Sequence, residues 1–141
     1  MKGTRSNNRK GIKRSIRRGG ILSMELVLTL PILMIVLMGL FEFTMLFYSR
    51  SLIVEASRVG ARKASLPGST AESVEDEVRL VLNPRLQTGM QVQVDVGSYS
   101  GDVVMVSVQT PMTSACPDLL WPIGLSLNGR NLYSETRMIR E

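Results

Sequence analysis

A chain of 141 residues with a formal charge of +5 has room for one membrane span and one small domain, and for little else. It has no histidine, which removes the usual general base and the imidazole metal ligand, and its single cysteine, Cys116, allows neither a zinc cluster nor an internal disulfide. The net charge conceals an asymmetry. Lys2, Arg5, Arg9, Lys10, Lys13, Arg14, Arg17 and Arg18 give the first twenty residues eight positive charges and no acid, which leaves nine basic residues against twelve acidic ones in the remainder.

That basic leader, residues 1–20, has almost no apolar content. A nucleic-acid arm is one reading of clustered Lys and Arg, but a basic flank directly before a membrane span is better explained by the positive-inside rule. The expectation is a cytoplasmic amino terminus, contact with membrane lipid, an exported carboxy-terminal domain and no nucleic-acid partner.

The stretch Gly20–Tyr48, GILSMELVLTLPILMIVLMGLFEFTMLFY, organises the chain. It carries no charge from Leu26 to Phe41, and its length exceeds the roughly 20 apolar residues needed to cross a hydrocarbon core about 30 Å thick. In lipid a lone span must be helical, because the backbone has to satisfy itself. A transmembrane helix is therefore expected over residues 21–48. The apolar run is about twice the length of a signal-peptide core, and FEFTMLFYSRS after it lacks a small-residue cleavage pattern, so cleavage behind the span is not expected. Pro31 leaves the Val27 carbonyl without its donor and should kink or loosen the helix. Glu25 sits near the amino-terminal edge. Glu42, a second intramembrane acid, sits near the other edge and is expected to reach outward to the headgroups. Of the glycines before the span, only Gly20 has an acid five residues on.

From 49 to 66 the same helix should continue into water, with Leu52, Ala56, Val59, Gly60, Lys63 and Ala64 as its packing stripe and Pro67-Gly68 as its end. Gly60 lowers helix stability by about 1 kcal/mol relative to alanine, which implies close packing of another element there.

These features together resemble the TadE-like proteins, the pseudopilins of the tight-adherence (Flp/Tad) pilus system. The resemblance is carried by the leader ending in Gly20, by Glu25, by Pro31 six residues after it, and by the second acid of MELVLTLPILMIVLMGLFEF. VEASRVGARKAS, through Ala56, Arg58, Gly60, Ala61, Arg62 and Ala64, is similar to the family's alanine-rich segment, and the closing TRMIRE to its usual ending. Leu26 stands where the family usually has an aromatic residue. The resemblance covers residues 20–65 well and the rest loosely. It implies a structural or assembly subunit of an adhesive pilus, residing in the inner membrane, cut by a prepilin peptidase between Gly20 and Ile21, with Glu25 registering the incoming subunit. Its partners would be that peptidase and the other pilin and pseudopilin subunits. The alternative is an unprocessed single-pass anchor whose exported domain binds another envelope or secretion component. The Gly20–Glu25 pair favours the first, since an anchor needs neither residue.

The remaining residues, 67–141, are expected to form a small α+β domain with a pilin-like arrangement: one short helix and a three-stranded antiparallel sheet. Ser69 with Glu72 offers a capping box for a helix with Ala71, Val74, Val78, Val81 and Leu82 on one face, stopped by Asn83-Pro84. Met90–Val96, Val103–Val108 and Leu132–Ile139 alternate as strands, with a Gly- and Ser-rich turn at 97–102. Leu119, Leu120 and Trp121 are expected to plug the core, Cys116 to be a buried, inert thiol, and the acidic run Glu72–Glu77 to be a solvated helix face. No nucleophile motif, phosphate loop or cofactor signature is present; a non-enzymatic role with no cofactor is expected.

Overall fold

The computed structural model describes residues 19–141, and side chains from residue 23 onward. The basic leader lies outside the described residues. Two compact units divide the chain, Met1–Leu33 and Met34–Glu141.

Helix α1, Gly19–Ala64, is a single α-helix with Pro31 inside it. In the first unit its described side chains are exposed and mostly apolar. Polar groups in the apolar run satisfy themselves: Thr29 Oγ1 donates to the Leu26 carbonyl (3.3 Å) and Thr44 Oγ1 to the Leu40 carbonyl (2.7 Å). Among the described residues, one helix is long and apolar enough to cross a membrane.

The second unit joins the rest of α1 to a three-stranded antiparallel sheet in the order β1-β2-β3, from Gln91–Asp95, Val103–Pro111 and Asn131–Ile139. The alternation of valines places Val104, Val106 and Val108 of the central strand on one fully buried face. The other face is mixed, with Gln93, Ser107 and Glu135 in register at its middle and the exposed pair Val103–Ile139 at one end. There Glu135 accepts from the Tyr133 hydroxyl and pairs with Arg137, both at 2.6 Å. The Tyr133 bond and Arg137 hold the Glu135 carboxyl below its ordinary range, while the same bond pushes the Tyr133 phenol up.

The architecture is thus α+β, and α1 lies on the sheet through Ser57 and Gly60. Its buried stripe is turned from the expected one. Ile53, Ala56, Ser57, Gly60, Ala61 and Ala64 are buried, whereas Leu52, Val59 and Lys63 are only half-buried. Apolarity alone misplaces this face because the helix meets the sheet through its smallest residues. A Cβ on Gly60 would stand 2.7 Å from Val78 Cγ2 and 3.1 Å from Val106 Cγ1. Beside it, Ser57 Oγ contacts Ser134 Oγ (3.0 Å) and Thr136 Oγ1 (2.9 Å) of β3, so a fully buried hydroxyl is satisfied across the helix–sheet junction.

Helix α2, Ala71–Val81, follows the turn at Gly68, whose φ of 81° suits glycine. Its cap is one residue later than expected. Thr70 and Ser73 form the capping box, because Ser69 Oγ is drawn back to the Lys63 carbonyl at 2.6 Å and Glu72 takes no part. Val74 and Val78 are buried against Gly60, while Ala71 is exposed. Asn83-Pro84 does stop α2, but Pro84 also opens a further turn, α3, Pro84–Gln87, since proline suits a first helical position.

The connection from β2 to β3 carries α4, Met112–Ala115, and a 3₁₀ turn, Trp121–Ile123. Here the expected core plug fails in part. Leu120 is buried, but Trp121 is 67% exposed. Cys116 is fully buried and free.

Gly60 gives a direct test of the packing. Gly60→Ala gains helix propensity but forces a methyl between two stiff valines, and the clash should win, lowering stability by about 1–3 kcal/mol. A thermal unfolding scan of the full chain in detergent would show a lower midpoint for Gly60→Ala and a lower one again for Gly60→Val.

Candidate functional site

The residues singled out in the sequence are strung along α1 rather than gathered into a pocket. Gly20 and Ile21 lie in its first turn. The first four N–H groups of any helix lack intrahelical partners, and two adjacent glycines weaken the turn further, so the Gly20–Ile21 bond sits where unwinding costs least. Glu25 is exposed one turn later, flanked by exposed Met24 and Leu26, and among the described residues its carboxylate has no hydrogen-bond or ion-pair partner. Helical hydrogen bonding continues past Pro31.

Glu42 departs from its expected behaviour. It does not reach outward. It is 4% exposed, and one carboxylate oxygen accepts the backbone N–H groups of Leu119 and Leu120, both at 3.2 Å. Those N–H groups precede the 3₁₀ turn and would otherwise be buried donors without partners, so a buried acid is the matching acceptor. Glu42 and Gly60 are 18 residues apart, which is five full turns, so both lie on one face. Glu42 is the first member of the buried stripe, ahead of Ser49 and Ile53.

Around Glu42 the chain builds a small polar cluster that sequence reasoning missed. One Asp118 oxygen accepts from Ser126 Oγ (2.9 Å) and from the Leu127 N–H (3.2 Å), while the other is buried without a partner. A cavity of about 220 Å³ is lined by Glu42, Ser126 and Arg130 and otherwise by apolar side chains of α1 and the β2–β3 connection. Nearby, burial first, and then the charges of Glu42 and Asp118, push the Cys116 thiol up to about 11. The signal for this cluster was weak: a lone aspartate in PDLLWPIGLSLNG looks like a loop residue until the fold brings it to the helix. Among the described residues there is no group of His, Cys, Asp and Glu able to hold a metal ion.

Two consequences are measurable. Glu42→Leu leaves two buried N–H donors unpaired and should destabilise the chain by about 2 kcal/mol. Glu42→Gln keeps an acceptor and should lose less, as read by unfolding in detergent. A thiol with its ionisation raised from about 9 to about 11 has roughly one hundredth of the thiolate at pH 8. Maleimide should therefore label Cys116 at least ~100-fold more slowly in the native chain than in denaturant.

With the geometry described, comparison with known proteins bears on α1. The family model described as TadE-like protein matches residues 20–62. No curated protein and no solved structure matches the chain. The match begins at Gly20 and ends just short of the carboxy-terminal end of α1. Through its long helix, residues 20–62, this chain is similar to the TadE-like proteins.

Proposed function

We propose that this chain is a pseudopilin, a structural and assembly subunit for an adhesive pilus of the Tad type, and not an enzyme. It is held in the inner membrane by α1, with its leader in the cytoplasm and residues 67–141 exported. A prepilin peptidase cuts after Gly20. The observation that supports this reading most is the coincidence of two boundaries. The family match opens at Gly20, the residue at which the basic leader ends and the apolar helix begins.

The chemistry of such a step follows from the residues. Cleavage at Gly20–Ile21 removes eight cationic side chains, each worth about 1 kcal/mol of attraction to an anionic leaflet, and so eases withdrawal of the helix toward a filament. It also creates an ammonium group at Ile21. Glu25 is one turn away along the helix and has no partner among the described residues. In a low-dielectric bundle an unpaired carboxylate is costly, so Glu25 seeks the new amine, its own or a neighbour's, and thereby registers the incoming subunit. The exposed apolar side chains of α1 supply the surface on which other pilin and pseudopilin helices pack.

The mass of the mature amino terminus tests this reading. The functional protein should begin at Ile21. Gly20→Val should retain the full leader, because a branched side chain hinders approach of the protease to the backbone. Glu25→Gln should be cut normally yet fail to enter filaments. A functional protein that keeps its leader would leave the unprocessed anchor, bound to another envelope or secretion component, as the role.

A further inference from the structure

We propose that the loop around the 3₁₀ turn is a second membrane contact, in which Trp121, Ile123 and Leu125 enter the lipid interface at the carboxy-terminal end of the span. This rests on the reading that α1 crosses a bilayer.

The loop is fixed to the helix at one level. Glu42 accepts the Leu119 and Leu120 N–H groups, and Leu120 Cδ1 stands 3.7 Å from where a Cβ on Gly39 would lie. Residues 39–42 cover only about 5 Å of helix axis. At that same level the uncharged run of α1 ends, at Phe41. Helix from Ile21 to Phe41 is about 30 Å long, which already matches the hydrocarbon thickness. The bilayer boundary therefore falls near Phe41, not at Tyr48. Beyond it, Glu42 is covered by protein rather than by headgroups. Leu119 and Leu120 are thus held beside the last apolar turn of the span, and Leu125 lines a cavity with Phe43 and Leu46 in the turn just beyond it.

The composition of the loop suits that position. LLWPIGLSL, residues 119–127, has no charged residue. Trp121, Ile123 and Leu125 are 67%, 49% and 55% exposed, and Leu40 and Phe41 of the helix, in the same unit, are exposed as well. The acid that borders the loop, Asp118, is turned inward onto Ser126 and Leu127. Tryptophan favours the headgroup level, where its ring is in apolar surroundings and its N–H stays wet. The anchoring of this uncharged loop at Gly39 and Glu42, where the span ends, identifies lipid as the occupant of its exposed apolar side chains.

Trp121 is the only tryptophan in the chain, so its fluorescence reports the loop alone. The full chain would be placed in phosphatidylcholine–phosphatidylglycerol vesicles, with and without bromine on the upper acyl chain. Brominated lipid should quench the emission at least about twofold, and aqueous iodide should quench it far less than in the denatured protein. Phe41→Trp in a Trp121→Phe background marks the boundary level and should respond to bromine similarly. Leu125→Trp in the same background reports the loop from a second position and should do likewise. Carbonate extraction of the same vesicles separates the two ideas. A chain that resists extraction, but whose Trp121 is open to iodide and blind to bromine, overturns the loop contact and leaves the span intact. A chain that is extracted overturns the span itself. Protection from iodide that grows with the protein-to-lipid ratio, without bromine quenching, assigns the surface to a second copy of the chain and also overturns the proposal.

Discussion

The second unit depends on how closely α1 approaches the sheet. At Gly60 the separation leaves no room for a methyl group, and Ala56, Ala61 and Ala64 are buried in the turns on either side. Small residues bury little apolar area themselves. They gain their effect by letting Val74 and Val78 of α2 and Val106 of β2 close on the helix at Gly60, so that a domain with few aromatics reaches a packed interior. Ser57 fits the same plan: its hydroxyl is small enough for the junction and finds Ser134 and Thr136 there. The branched valines cannot move aside, and the geometry is set by backbone and Cβ positions rather than by adaptable side chains.

One helix thereby serves two surroundings. Up to Phe41 its described side chains are exposed and nearly all apolar, with no polar face. From Glu42 onward a buried stripe begins, and apart from Ile53 the residues on it are acidic, hydroxylic or small. The change happens at a carboxylate. An acid that close to an apolar run is expensive unless its lone pairs are occupied. The Leu119 and Leu120 N–H groups are expensive in the same way unless they find an acceptor, and the two costs cancel each other. The same contact ties the long β2–β3 connection to the helix.

The fold class was legible because its signals are periodic. Strand alternation in QVQVD and VVMVSV, and a charge-free run of sixteen residues from Leu26 to Phe41, each require many residues to agree. What was not legible depends on contacts between distant residues. The exact face of α1 follows from Gly60 meeting Val78 and Val106, which no local pattern encodes. Ser69 and Thr70 are equivalent as caps by type, and only the pull of the Lys63 carbonyl on Ser69 separates them. Trp121 was assigned to the core because tryptophan is large and apolar, yet Leu120 occupies that place. Glu42 was read from its neighbours in sequence, as an acid at the edge of a span, whereas its surroundings are supplied by residues almost eighty positions away.

The two acids of α1 show why residue type and depth do not by themselves assign a role. Both are glutamates bordering the same uncharged run, and both match positions that the TadE-like resemblance picks out. Glu42 has one carboxylate oxygen engaged by two backbone donors of its own chain and is 4% exposed, so it is largely closed to an outside partner. Glu25 has no such partner among the described residues, so its carboxylate is available to a donor from outside. An acid already satisfied stabilises a fold; an acid left unsatisfied in an apolar setting favours association with whatever brings a positive charge. On the proposed reading, the ammonium group released at Ile21 is that charge. Assembly and folding are then separated on a single helix: Glu42 closes the chain on itself, and Glu25 remains open to a neighbour.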